Sequence, residues 1–173
     1  MPYSEFALSS TASEIDANDF RAVLSRFATG VCIATSRDST GKPVGMTINS
    51  FNSVSLDPPL ILWTVGRQAP EYQAFCEASG YVIHILRESE FAVSNHFATP
   101  SDDKFAGQDF DLTGLPKLRN PWLLLECRAE QSFAAADHNI LVGRVTAIEN
   151  NSGDDSALLY YSSSYRSVGG AVG

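Results

Sequence analysis

The stretch of residues 45–59, GMTINSFNSVSLDPP, alternates in the way that a β-strand does. Successive side chains of a strand point to opposite faces, so every second residue shares a face. One face of this stretch would carry only uncharged side chains, those of Thr47, Asn49, Phe51, Ser53 and Ser55. No charged residue occurs between positions 44 and 56, although a solvated strand usually carries Lys, Glu or Arg. The pattern therefore predicts one strand with a neutral face, here called the ledge of residues 47–55.

The ledge has a functional and a structural interpretation. Hydroxyl and amide groups donate and accept hydrogen bonds without carrying a charge, which suits a flat heteroaromatic ring with mixed edge atoms. Alternatively, the ledge belongs to an edge strand whose Ser and Thr side chains face water. Pro58 and Pro59 cannot donate hydrogen bonds to a ladder, so we expect strand pairing to end there and to leave an opening at the rim of the sheet.

The composition is that of one globular domain over residues 1–173, with 44% hydrophobic residues. Residues 1–17 are predicted to form an N-terminal arm, and residues 162–173 a partly flexible tail. The formal net charge of -8 argues against nucleic acid or an anionic membrane as a partner. Three widely spaced cysteines and the lack of a signal-like N-terminus predict a cytoplasmic location.

Strand-like segments outnumber helical ones, and they are mostly joined by short polar turns. Helices are predicted over Asp19–Phe27 with Asn18 as its cap, from Pro70 to Gly80, and over residues 88–98. The βαβ alternation of a parallel sheet is missing. We therefore expect a mainly β fold, an antiparallel sheet curled into a barrel. The polar segment 99–120 is long enough to predict a lid or a disordered loop.

Several common catalytic signatures do not occur in the sequence. It has no GxGxxG, no GxxxxGK[ST] and no GxSxG. Its histidines, His84, His96 and His138, lack metal-ligand spacing, so no metal site is predicted.

Two further segments contain candidate ligand contacts. Lys104 precedes Phe105 at the end of an acidic stretch, and Arg67 lies in VGRQAPEY; both cations suit a phosphate, or are simply solvated. His138 begins a predicted strand, where it is either hydrogen-bonded for structural reasons or contacts a ligand near neutral pH.

Taken together, these segments resemble the flavin reductase family. GVCIATS, GMTINSFNSVSLDPPLIL, DKFAG, LLECRAE and ADHNILVGRV occur in the order and spacing of that family, from about Phe20 to Tyr165. Its members are small split-barrel reductases that supply reduced flavin to two-component monooxygenases. The resemblance implies a homodimeric, antiparallel Greek-key split β-barrel of the FMN-binding type, with FMN or FAD near the dimer interface.

The resemblance also implies roles for individual residues. Thr47, Asn49 and Ser50 would contact the isoalloxazine edge and the ribityl chain, followed by Ser53 and Val54. Phe97, Lys104 and Phe105 would hold the phosphate end and cover the flavin. His138, the catalytic candidate, and Tyr165 would lie on the nicotinamide side. Arg67 is a weaker phosphate contact, because Gln68 and Ala69 follow it where relatives often have Ser or Thr.

The activity implied is that of an NAD(P)H:flavin oxidoreductase, which passes hydride from NADH or NADPH to FMN or FAD and supplies a separate monooxygenase. One alternative is a reductase whose bound flavin reduces another acceptor, such as a corrin cobalt, ferric iron or a nitroaromatic. A second alternative is a flavin-binding barrel without enzymatic activity.

Overall fold

Twelve β-strands and three α-helices form between residues 15 and 169, the part of the chain that this computed structural model describes. The strands are β1 (Thr29–Gly30), β2 (Cys32–Arg37), β3 (Pro43–Ile48), β4 (Asn52–Leu56), β5 (Pro59–Gly66), β6 (Gly80–Ile85), β7 (Phe110–Asp111), β8 (Lys117–Leu118), β9 (Leu123–Ala135), β10 (His138–Asn150), β11 (Leu158–Tyr161) and β12 (Ser164–Ser167). The helices are α1 (Ala17–Leu24), α2 (Tyr72–Glu77) and α3 (Phe91–Ala98), with a 3₁₀ turn at Glu88–Glu90. Most of the predicted arm and the last four residues of the predicted tail lie outside the described residues.

Seven strands form the main sheet in the order β3-β2-β6-β9-β10-β5-β4, and every neighbouring pair is antiparallel. Between β5 and β6 the chain passes over β10 and β9, which is a Greek-key step. The two edge strands, β3 and β4, are consecutive, so Ile48 and Asn52 lie within about 15 Å of each other. The sheet must curl to bring its edges together there. The predicted antiparallel split barrel is confirmed.

Alternating side chains of β5 fill the barrel interior. Ile61, Trp63 and Val65 are buried, while the residues between them face outward. The indole of Trp63 packs edge-on against Phe75 of α2 and Tyr81 of β6, with ring centroids 4.9 and 5.5 Å apart. The apolar run of residues 60–65, in which Thr64 is the one polar residue, thus has an inner and an outer face in the barrel.

The ledge of residues 47–55 is not one strand, and that prediction is wrong. Strand β3 ends at Ile48 and β4 begins at Asn52 on the opposite edge of the sheet, so the five side chains do not share a face. Residues 49–51 form the corner between the two strands, and Phe51 packs against the barrel core. Pro58 and Pro59 do not open the rim either, because Leu56 pairs with Pro59 in a tight hairpin that contains the cis Asp57–Pro58 bond.

The polar segment 99–120 is held against the barrel, contrary to the prediction of a lid or a disordered loop. The Thr35 hydroxyl donates to the Pro116 carbonyl, and the Arg37 guanidinium donates to the carbonyls of Leu112 and Gly114. Strands β7 and β8 pair within the segment. Side chains of β2 therefore supply the hydrogen bonds that a polar loop would otherwise make with water.

Helix α1 begins two residues earlier than predicted. Asp16, rather than Asn18, caps it, accepting hydrogen bonds from the backbone N–H groups of Asn18 and Asp19. None of its residues is buried. From residue 15 to residue 169, the structure has no helix with the length and apolar character that crossing a membrane requires.

Candidate functional site

A cavity of about 430 Å³ lies at the end of β3, between α3 and the β11–β12 hairpin. Its polar and aromatic lining residues are Thr47, Asn49, Asn95, Tyr160, Ser163, Ser164 and Tyr165. None of the described residues that line it is charged. Small-molecule sites in proteins span roughly 300–1,000 Å³, so the cavity has the size of a ligand site.

A buried serine joins two walls of this cavity. The Thr47 hydroxyl on β3 donates to the backbone carbonyl of Ser94, 2.6 Å away. The Ser94 hydroxyl is hydrogen-bonded to the phenol of Tyr165 on β12 at 2.8 Å. Because Ser94 of α3 is fully buried, this network fixes the positions of both lining side chains.

The structure brings together three of the residues assigned from the sequence: Thr47, Asn49 and Tyr165. Sequence reasoning missed Asn95 and Tyr160, which line the same cavity from α3 and β11. Neither residue belongs to the motifs that carried the resemblance, and only the tertiary fold brings them to the end of β3. The run of three serines directly before Tyr165 was the one local signal.

Ser50, Ser53 and Val54 lie outside the cavity. The Ser50 hydroxyl accepts a hydrogen bond from the backbone N–H of Thr64 at 3.0 Å and lies 3.3 Å from the Thr64 carbonyl. This side chain therefore joins the corner of residues 49–51 to β5. Ser53 and Val54 are exposed on the edge strand β4.

Phe97 and Phe105 belong to the hydrophobic core, so the prediction that they cover a flavin does not agree with this structure. Phe97 is 0% exposed, and its ring centroid lies 5.2 Å from that of Phe105 and 5.3 Å from that of Phe110. Gly45 makes room for this cluster, since a Cβ there would lie 2.8 Å from the Phe97 ring. The fully buried Phe97 ring has no surface to present to a ligand, and Phe105, 6% exposed, borders a separate cavity rather than the one at the end of β3.

Lys104 is buried in an ion pair, which argues against the predicted phosphate contact. Its ammonium lies 2.6 Å from the Glu71 carboxylate and donates to the carbonyls of Gly45 and Phe97 at 3.2 and 3.1 Å. Only 9% of Lys104 is exposed. A phosphate at this ammonium would also approach the Glu71 carboxylate, and like charges repel.

His138 and Arg67 meet at one end of the barrel, around Asp137. The imidazole Nδ1 of His138 lies 2.8 Å from the Asp137 carboxylate, and the backbone N–H of Arg67 donates to the Asp137 carbonyl at 2.8 Å. The hydrogen bond from His138 and its charge lower the pKa of Asp137. Both His138 and Arg67 are exposed, and neither lines the cavity.

Strand β5 separates His138 from the corner of residues 49–51. Ser50 is bonded to Thr64 on the β4 side of β5, and His138 lies opposite Gly66 on the β10 side. Adjacent strands are about 4.8 Å apart and residues two apart along a strand lie about 7 Å apart, so the corner and His138 are roughly 12 Å apart across β5.

The cavity can hold a planar, uncharged, hydrogen-bonding ring. The amides of Asn49 and Asn95 offer donors and acceptors, and the rings of Tyr160 and Tyr165 offer apolar contact. Within residues 15–169, no three His, Cys, Asp or Glu side chains form a group that could hold a metal ion.

Comparison with known proteins gives the family. The model of the flavin reductase like domain matches residues 24–169, which is most of the chain. The chain belongs to the flavin reductase family. The resemblance seen in the sequence is thereby confirmed.

Individual family members align over most of this chain. A Rhizobium meliloti (strain 1021) protein named "Probable flavin reductase" is 41% identical over 143 residues, which are 82% of this chain but 46% of that protein. The chain thus spans about half the length of that relative. Nitrilotriacetate monooxygenase component B from Mycobacterium thermoresistibile superposes with a TM-score of 0.80 at 31% identity, over 88% of this chain and 86% of the other. The Streptomyces globisporus NADH:FAD oxidoreductase SgcE6, solved with NAD and FAD fragments, superposes with a TM-score of 0.80 at 32% identity, over 90% and 96% of the two chains.

Proposed function

We propose that this chain is an NAD(P)H:flavin oxidoreductase that transfers hydride from NADH or NADPH to FMN or FAD and delivers the reduced flavin to a separate monooxygenase. Membership of the flavin reductase family and the names of the matched proteins, an NADH:FAD oxidoreductase and a monooxygenase component, support this activity. The observation that carries the proposal for this chain is the uncharged cavity beside the corner of residues 49–51.

The cavity residues fit the isoalloxazine ring of a flavin. That ring is flat and neutral when oxidised, with donors and acceptors along one edge, which the amides of Asn49 and Asn95 can match. Tyr160 and Tyr165 pack edge to face with centroids 5.8 Å apart, which gives an apolar wall. Thr47 keeps its position through the Ser94 carbonyl, so the polar wall is preformed.

The protein contributes positioning and electrostatics to the reaction. The flavin, when bound, supplies the hydride acceptor, and the hydride donor is the reduced nicotinamide. Such a transfer needs the reacting atoms roughly 3–3.5 Å apart, so the walls must hold one ring while leaving its other face free. Backbone N–H groups of the corner 49–51 are suited to stabilise the charge of reduced flavin.

His138 and Arg67 are proposed to face the nicotinamide dinucleotide, from across β5. His138 presents an imidazole on the outer surface and Arg67 a guanidinium beside it. No dinucleotide crevice of the βαβ type exists among the described elements, which supports a dinucleotide that binds on the barrel surface.

We further propose that the chain acts as a homodimer in the cytoplasm. Val23 of helix α1 is 71% exposed, and Phe27, three residues beyond the end of the helix, is 74% exposed. Leu56 at the end of β4 is 93% exposed. A second copy of the chain would cover such surface in a self-complementary way. The three free cysteines agree with a reducing compartment.

The test is to mix the purified protein with NADH or NADPH and free FMN or FAD, and to follow the loss of reduced nicotinamide by its absorbance. We expect flavin-dependent oxidation with at least one pair.

Thr47→Val should raise the KM for flavin about fivefold, because a hydrogen bond worth about 1 kcal/mol is lost from the cavity wall. Thr146→Val is the matched control, since that hydroxyl also bonds to a backbone carbonyl but lies outside the cavity.

Each other outcome supports a different function. If the protein retains its flavin through dialysis and turns over added free flavin only slowly, reduction of another acceptor is favoured. Flavin that binds but is never reduced anaerobically by either nucleotide would contradict the enzymatic proposal.

A further inference from the structure

A second cavity, of about 140 Å³, lies between helix α2 and the paired strands β9 and β10. It is here called the Cys76 cavity, and its lining residues are Phe75, Cys76, Tyr81, Ala129, Glu130, Gln131, Ser132, Leu141 and Val142. It shares no lining residue with the cavity at the end of β3. We propose that hydrogen peroxide binds in the Cys76 cavity and oxidises the Cys76 thiol to a sulfenic acid, which makes Cys76 a redox-modification site.

The size of the cavity limits its ligand to a few heavy atoms. Sites for drug-sized ligands and cofactors span roughly 300–1,000 Å³, and one water molecule occupies about 30 Å³ of the liquid. A volume of about 140 Å³ is therefore too small for a flavin or a nicotinamide dinucleotide, but it admits a molecule of two oxygen atoms.

The Tyr81 side chain forms the inner wall of the cavity. Tyr81 starts on β6 and reaches across β9 to β10, where a Cβ at Gly143 would collide with its hydroxyl. Gly143 directly follows Val142, another lining residue. The hydroxyl thus lies at the β10 side of the cavity, and the Cys76 thiol lines the α2 side.

The Tyr81 hydroxyl is buried without a partner. Tyr81 is 1% exposed, and its hydroxyl makes no hydrogen bond within the described part of the chain. The Trp63 ring lies 5.5 Å from the Tyr81 ring, but the indole N–H of Trp63 has no partner there either. The Tyr72 hydroxyl already donates to the Asn139 side chain at 3.0 Å. Because buried polar groups are nearly always paired, the free Tyr81 hydroxyl indicates a small polar ligand in the cavity that it lines.

Cys76 is the thiol of this chain that an oxidant can reach. It is partly exposed near the end of α2, whereas Cys32 and Cys127 are each 2% exposed. Burial raises the pKa of both buried thiols to about 12. Neither of them therefore forms, at neutral pH, the thiolate that attacks a peroxide.

The charges beside the cavity do not oppose a thiolate. Among the described lining residues, only Glu130 is charged. Its carboxylate is paired with Arg128 at 2.8 Å and with Arg144 at 2.6 Å. Two guanidinium groups and one carboxylate leave a net positive charge, which favours a neighbouring thiolate.

The reaction is a two-electron oxidation of sulfur. The Cys76 thiolate attacks one oxygen of the peroxide, so an S–O bond forms, the O–O bond breaks, and the leaving hydroxide takes up a proton to become water. The Tyr81 hydroxyl donates a hydrogen bond to the leaving oxygen, on which negative charge develops. A sulfenic acid returns to the thiol when it reacts first with one added thiol and then with another, so the modification is reversible.

The proposed function would generate the oxidant. Reduced flavin that meets dioxygen instead of a monooxygenase passes on two electrons and two protons, and dioxygen becomes hydrogen peroxide. This link rests on the proposed function, whereas the reaction of Cys76 with peroxide does not. Oxidation of Cys76 would then register flavin reduction that is not coupled to a monooxygenase.

The experiment adds hydrogen peroxide to the purified full chain without flavin and traps sulfenic acid with dimedone. Mass spectrometry of the intact protein gives the labelling rate, and peptide mapping identifies the labelled cysteine. Wild type is compared with Cys76→Ala and Tyr81→Phe, and Tyr161→Phe is the matched control, since it removes a phenol hydroxyl outside the cavity. Iodoacetamide, which alkylates a thiol without any peroxide, measures access to Cys76 in the same proteins.

We expect labelling at Cys76 alone, and none in Cys76→Ala. Tyr81→Phe should be labelled about fivefold more slowly, the value of one hydrogen bond, but alkylated by iodoacetamide at the wild-type rate. Its urea midpoint should equal or exceed that of wild type, because the hydroxyl that it lacks has no partner within residues 15–169. Tyr161→Phe should match wild type in both labelling assays.

Three results would overturn the inference: wild-type peroxide labelling in Tyr81→Phe, an equal loss of peroxide and iodoacetamide reactivity in that variant, or faster labelling of Cys32 or Cys127 than of Cys76. If the protein oxidises neither NADH nor NADPH with any flavin, the proposed function and the link to uncoupled flavin reduction are contradicted. The labelling result at Cys76 would still stand.

Discussion

The buried pair of Lys104 and Glu71 gives the sharpest test of the site assignment, because sequence and structure assign different roles to Lys104. In the structure, the side chains of Lys104 and Glu71 are only 10% and 12% exposed, and their charged groups are 2.6 Å apart. Removing one partner of a buried pair leaves an uncompensated charge, which costs about 3–5 kcal/mol. We therefore expect Lys104→Met to lower the free energy of unfolding by about 3 kcal/mol.

Urea denaturation at a fixed protein concentration measures this loss. With a urea m-value of about 2 kcal/mol/M, a loss of about 3 kcal/mol lowers the midpoint by about 1.5 M. Glu71→Gln should have a similar effect, and the double variant should lose less than the sum, since neither charge is left alone. Lys117→Met is the matched control: it breaks the pair with Glu126, in which both side chains are 30% exposed, and should cost less than about 1 kcal/mol.

The same variant separates the structural role of Lys104 from phosphate binding. A lysine that binds the flavin phosphate would discriminate FMN from riboflavin, which lacks the phosphate. We expect the ratio of kcat/KM for the two flavins to be the same in Lys104→Met as in wild type. A variant with the wild-type urea midpoint and a reduced preference for FMN would refute the structural role and restore the prediction from the sequence.

Three further predictions concern the packing of the barrel and of the segment 99–120. Gly45→Ala would place a methyl group 2.8 Å from the buried Phe97 ring, so it should lower the free energy of unfolding, measured by thermal denaturation, by about 1–3 kcal/mol. A methyl group at Gly30 meets open space, so Gly30→Ala should not lower it. Burial lowers the pKa of His84 to about 4, below the usual imidazole value. Folding therefore favours the neutral imidazole. The free energy of unfolding should fall by about 2 kcal/mol as the pH drops from 7.5 to 5, because the unfolded chain binds the proton more tightly. NMR should show that His84 of the folded protein is still neutral at pH 5. Arg37→Met removes the donors to the carbonyls of residues 112 and 114, so hydrogen exchange should speed up in residues 108–118 and stay slow in the barrel strands.

Short apolar runs bounded by turn residues predicted the barrel strands. The buried residues of β5 alternate with outward ones, although the sequence of residues 60–65 is apolar except for Thr64. Alternation misled at residues 49–51, because an alternating polar pattern does not reveal where a chain turns from one sheet edge to the other. The hairpin at Asp57–Pro58 was missed for a related reason: proline prevents ladder bonds but is well suited to a tight turn.

The candidate site was predicted in part. Thr47 and Asn49, which were assigned to the flavin, and Tyr165, which was assigned to the nicotinamide side, line one cavity. Lys104 was misassigned because lysines are almost never buried without a partner, and Glu71, its partner, is distant in the sequence and lies in no recognisable motif. Phe97 could not be recognised as core because its burial depends on Gly45, on a strand far from it in the chain.

The position of the cavity follows from the incomplete closure of the barrel. Strands β3 and β4 are the two edges of the main sheet, so each has one side without a ladder partner in that sheet. The corner 49–51 connects them, and the Ser50 hydroxyl takes the place of a ladder bond at Thr64. Asn49 is left exposed beside the cavity, where backbone and amide groups are free of the sheet. A fully paired barrel would leave no such groups, so the split that ends strand pairing is also what makes room for a polar, uncharged ligand ring.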